Sequence, residues 1–89
     1  MTTQKPLFPQ EVQLAIFQQL LAYETLLKER CRMDISRPST GMIWIYVYPA
    51  GHPEQAHSYV IDTLPISTAK GVDEAISRWW QSIPVECKK

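Results

Sequence analysis

The run MIWIYVYP, residues 42–49, constrains the chain more than any other feature, because β-branched and aromatic residues follow one another in it without a charged interruption. Such a composition favours a strand. Side chains alternate across a strand, so Ile43, Ile45 and Val47 fall on one face and Met42, Trp44, Tyr46 and Tyr48 on the other. Neither set is polar. A sheet built on this strand must therefore be covered on both faces, or offer one aromatic face to a partner.

The segment HSYVIDT, residues 57–63, has the same character, and AGHPEQA between the two holds Gly51 and Pro53. The economical reading is an antiparallel hairpin with Ile45 near Ile61 and Val47 near Tyr59. The aliphatic face then forms the floor for helices. The other face carries Trp44, Tyr46, Tyr48 and Val60, softened by Ser58 and Asp62. Two strands alone are marginal in water and have two open edges.

From Pro9 to about Arg32 the chain has no Gly or internal Pro and reads as one long helix. Val12, Ala15, Ile16, Leu20, Tyr23, Leu26, Leu27 and Cys31 share a broad face. Pro9 suits the first helical position, and Glu11 complements the macrodipole there, as Lys28, Arg30 and Arg32 do at the far end. Leu14, Phe17 and Leu21 lie on the opposite side as a second apolar patch. Residues 34–41, DISRPSTG, read as a connection. Ser67 or Thr68 caps a second helix in which Val72, Ala75, Ile76, Trp79 and Ile83 share a face, and Pro84 ends it. Trp79 and Trp80 point about 100° apart, so Trp79 belongs to the core and Trp80 to its rim or to an interface.

The expected architecture is one α+β domain over residues 1–89, of order helix, strand, strand, helix, with both helices on one face of the hairpin. Residues 1–8 and 85–89 are expected to be flexible, although Leu7 and Phe8 could fold back over an apolar patch. Dimerisation could extend the sheet.

The 89 residues carry nine basic and nine acidic side chains. That balance argues against a polyanion-binding chain, and the basic cluster Lys28, Arg30, Arg32 and Arg37 is offset by Glu29 and Asp34. Stacking of single-stranded nucleic acid on Trp44, Tyr46 and Tyr48 is the alternative reading of the aromatic face. His52, Glu54 and His57 supply at most three zinc ligands in a turn, a weak signal. Cys31 and Cys87 lack CxxC spacing and read as reduced thiols. Among Ser36, Ser39, Ser67 and the two cysteines, none has a base beside it in sequence, so no catalysis is expected. Gly41, Gly51 and Gly71 are isolated, so no phosphate loop and no cofactor are expected. No apolar run approaches a membrane span, and MTTQKPL lacks the features of a signal peptide, so a cytoplasmic location is expected.

The reading that follows is a small interaction module. It would bind a second copy of itself or another protein through Trp44, Tyr46, Tyr48 and Val60, with Leu14, Phe17, Leu21 and Trp80 as secondary candidates.

Overall fold

The computed structural model of the chain describes residues 6–36, 41–51 and 54–88. Helix α1 spans Pro9–Leu27 and is followed by strands β1 (Cys31–Ser36), β2 (Met42–Pro49) and β3 (His57–Asp62). Helix α2 (Ala69–Ser82) and the one-turn helix α3 (Val85–Lys88) complete it. The three strands form one antiparallel sheet in the order β1-β2-β3.

This corrects the expected order at two places: a third strand precedes the hairpin, and Val85–Lys88 form the short helix α3. The long helix ends at Leu27, where Arg30 N donates back to the Leu27 carbonyl at 2.8 Å, and the next residues enter the sheet. In β1, Cys31, Met33 and Ile35 point inward while Arg32, Asp34 and Ser36 point outward. Pairing along β2, from Cys31 opposite Pro49 to Ser36 opposite Trp44, outweighs the weak strand preference of charged residues.

The hairpin of β2 and β3 forms, with its register two residues from the expected one. Ile45 faces Tyr59, Ile43 faces Ile61 and Val47 faces His57. An even slip keeps every side chain on its face. Tyr48 and Pro49 therefore run beyond β3 and pair with β1 alone.

The inner face of the sheet, with Met33, Ile43, Ile45, Val47 and Ile61, joins Val12, Ile16, Leu20, Leu27, Val72, Ile76, Trp79 and Ile83 in one core. Each such aliphatic side chain, fully buried, contributes about 1.5–3 kcal/mol through apolar area removed from water. Helix α1 packs against α2 and β1. The expected stripe of α1 is narrower than its sequence pattern: Leu26, in the last turn, is 68% exposed. Trp79 lies in the core, and Trp80 stacks on Tyr23 at 4.7 Å between ring centroids. Tyr23 also meets Trp79 edge-on at 5.3 Å, so three rings close the interface between the helices.

Thr68 caps α2, its hydroxyl accepting from Gly71 N at 3.1 Å. Leu7 is partly buried against the core and its N–H donates to the Ser67 carbonyl at 2.7 Å, which ties the entry to α1 to the entry to α2. Phe8, by contrast, is exposed. Gly41 leads into β2 with φ near +85°, a conformation that a side chain disfavours, and its carbonyl accepts from both the N–H and the hydroxyl of buried Thr63. The molecule is 18 Å through its thinnest dimension, the depth of one helical layer on one sheet.

Candidate sheet-face interface

Because the helices occupy one side, the outer face of the sheet is a surface of three rows. β1 contributes Arg32, Asp34 and Ser36; β2 contributes Met42, Trp44, Tyr46 and Tyr48; β3 contributes Ser58, Val60 and Asp62. The added strand changes the chemistry of this face. The Arg32 guanidinium lies over the Tyr48 ring at 4.6 Å, a cation–π contact, and pairs with Asp34 at 3.5 Å. Tyr46 sits opposite Asp34, and both tyrosines are half-buried.

What remains is a smaller apolar patch at the β2–β3 end. Trp44 and Val60 are direct cross-strand partners, 38% and 39% exposed, and Met42 beside them is 37% exposed. Leu64, also exposed, lies against Gly41 just beyond the sheet. Met42 belongs to the face by strand alternation alone; Leu64 carries no periodic signal and is placed here only by the turn after β3. Asp62, opposite Met42, accepts a hydrogen bond from Leu64 N at 3.0 Å, fixing that turn.

The remaining candidates are scattered. Leu14 and Leu21 are exposed and Phe17 is partly buried on the side of α1 away from the core, so the helix patch and the sheet face lie on opposite sides of the molecule. Trp80 is taken up at the rim: besides the Tyr23 stack, Lys88 lies 5.6 Å from its ring and donates to its carbonyl at 3.1 Å. His57 Nε2 lies 3.3 Å from Ser82 Oγ. Since the Ser82 hydroxyl donates its proton to the Trp79 carbonyl at 2.6 Å, the imidazole acts as the donor, and His57 links the start of β3 to the end of α2. His52 lies outside the described residues. Among the described residues no group of three metal-ligating side chains forms.

A groove of about 470 Å³ runs between the open edge of β3 and α2, with Asp62, Ser67, Glu74 and Arg78 as its polar lining. Among the described residues no helix is long and apolar enough to cross a membrane.

The two cysteines, far apart in sequence, come together. Cys31 opens β1 and Cys87 lies in α3; both are buried, and the two thiols are neighbours. Burial, together with the hydrogen bond and the charge of the neighbouring Cys87, pushes the Cys31 thiol up to about 12 from an ordinary value of 9.0. In the unfolded chain this thiol ionises near 9, so between about 9 and 12 the folded state binds the proton that the unfolded state has lost. Stability from this site is therefore complete below pH 9 and falls as pH rises towards 12. Chemical denaturation at pH 8 and pH 10.5 is expected to show a steeper alkaline loss for the native chain than for Cys31→Ala; equal losses would contradict it.

Comparison with protein-family models, with curated proteins and with solved structures finds no match at any of the three levels.

Proposed function

We propose that the protein is a small interaction module, without catalytic activity of its own, that associates through the outer face of its sheet, in the first instance with a second copy of itself. The observation that carries this reading is the Met42, Trp44 and Val60 patch. These three large apolar side chains are each more than a third exposed, and they sit on strands whose opposite face carries Ile43, Ile45, Val47 and Ile61 in the core. Contiguous apolar patches framed by polar residues mark association surfaces, and Trp is prominent among their energetic anchors.

The rim supports a symmetric partner. Arg32 stands at one corner of the face, opposite Tyr48, and Asp62 at the diagonal corner, opposite Met42. A two-fold axis set across that diagonal brings Arg32 of each copy to Asp62 of the other, with Trp44 of each copy meeting Tyr46 of the other near the centre of the face.

Light scattering from low to high micromolar concentration is expected to show twice the 10.3 kDa chain mass for the native protein at the upper end. Trp44→Ser, Tyr46→Ser should weaken association at least ~30-fold, the equivalent of about 2 kcal/mol, with an unchanged far-ultraviolet circular dichroism spectrum. A double variant that fails to fold would make the face part of the core and end the proposal. A native monomer at every concentration would exclude the second copy as partner. Stacking of single-stranded nucleic acid on the same aromatic residues would show instead as an oligonucleotide shift at low salt that vanishes at moderate salt.

A further inference from the structure

We propose that Cys31 and Cys87 are a closable thiol pair, which oxidation joins into an intramolecular disulfide fastening α3 to the junction of α1 and β1. The placement is seen from three sides. Cys31 follows the turn that ends α1, and both cysteines belong to the same core. Across one concavity Pro84 and Glu86 face Arg30, Pro49 and Ala50. Across another, Cys87 and Lys88 face Leu26, Leu27 and Arg30. Residues of α3 thus share these concavities with the chain on both flanks of Cys31, Leu27 and Arg30 before it and Pro49 opposite it, and the two buried thiols are neighbours. With no third metal-ligating side chain grouped with them among the described residues, the chemistry open to the pair is two-electron oxidation.

The oxidant belongs to the class of low-molecular-weight disulfides, of which glutathione disulfide is the probe. A helix of one turn is too short to hold itself together, so α3 opens locally without unfolding the domain. The Cys87 thiolate then attacks one sulfur of the reagent. The reagent's S–S bond breaks, and the departing thiolate takes up the proton that Cys87 lost. Cys31 attacks the Cys87 sulfur of the mixed disulfide, expelling the second small thiolate, which takes up the proton from Cys31. Two protein thiols have lost two electrons and two protons, and one small disulfide has become two thiols.

Because native packing already holds the partners together, the second step is expected to outrun release of the mixed disulfide. The pair thereby serves as a latch: reduced, α3 is held by packing and by Lys88 on Trp80; oxidised, it is held covalently.

The test uses the full chain, reduced and then incubated with millimolar glutathione disulfide, quenched in acid, and read by intact mass and non-reducing peptide mapping. The expected product is a monomer lighter by two hydrogens, with the Cys31 and Cys87 peptides linked. Its unfolding midpoint should lie about 10 °C or more above that of the reduced form and return on addition of a thiol reductant. A chain that stays reduced, keeps glutathione on either cysteine, or links only between molecules would overturn the proposal. Cys31→Ala is expected to retain glutathione on Cys87; an inert Cys87 in that variant would refute the order of attack.

Discussion

Replacing Trp79 with Ala is expected to lower the unfolding midpoint by roughly 15 °C or more, while Trp80→Ala lowers it by less than half as much. The two residues are adjacent on α2, yet their burial differs in kind. Trp79 has no exposed surface and touches the centre of the core, with Tyr23 against its face edge-on. Its removal takes away the largest buried side chain and leaves a cavity that the sheet and two helices cannot all move to fill, a loss of about 3–5 kcal/mol. Trp80 is half-buried at the rim, where water can replace it and Lys88 can relax. Among the described residues the Trp79 indole N–H has no hydrogen-bond partner, so the loss arises from packing, and Trp79→Phe should be milder than Trp79→Ala. Thermal denaturation followed by circular dichroism measures all three. Equal midpoints for Trp79→Ala and Trp80→Ala would show that the core is not centred on Trp79.

The same pair of residues shows what could be read from the chain. A periodicity of 3.6 separates Trp79 from Trp80 because consecutive helical residues diverge by about 100°, and the buried face of α2 follows from Val72, Ile76 and Ile83 by the same rule. Strand β2 was equally legible, since β-branched and aromatic residues fill it. Strand β1 was not. Its residues CRMDIS alternate apolar and polar through all six positions, a clear period of two, but Lys28, Glu29 and Arg30 continue the composition of α1 up to its edge and hide the change of period. What decides that segment is pairing with β2, a long-range term that local preference does not contain.

The candidate site divides along the same line. Trp44 and Val60 follow from strand alternation, whereas Arg32 over Tyr48 depends on a strand that the local pattern concealed. The meeting of Cys31 and Cys87 depends on how α3 folds back, and neither cysteine carries any mark of it. His57 has a similar lesson. In sequence it stands with His52 and Glu54 as a weak candidate ligand, and nothing there marks the contact its ring makes with Ser82 in the fold.

The third strand can be tested with one substituent placed at two neighbouring positions. Met33→Asn is expected to destabilise the protein by about 3–5 kcal/mol, because it removes a buried side chain and leaves an amide without water or a partner in the core. Asp34→Asn, one residue further on, should change stability by no more than about 1 kcal/mol, since it gives up only an exposed ion pair with Arg32. Denaturant midpoints for the two variants make the comparison. An open connection over residues 31–36 would treat both changes alike; a strand with one face in the core cannot, because alternation sends adjacent side chains to opposite sides. The result bears directly on association. If β1 is paired as described, Arg32 stays over Tyr48 and the free apolar surface shrinks to Met42, Trp44 and Val60, so Asp34→Asn should leave the dimerisation constant nearly unchanged. If β1 were absent, the whole aromatic row of β2 would be open, and self-association would depend as strongly on Tyr48 as on Trp44.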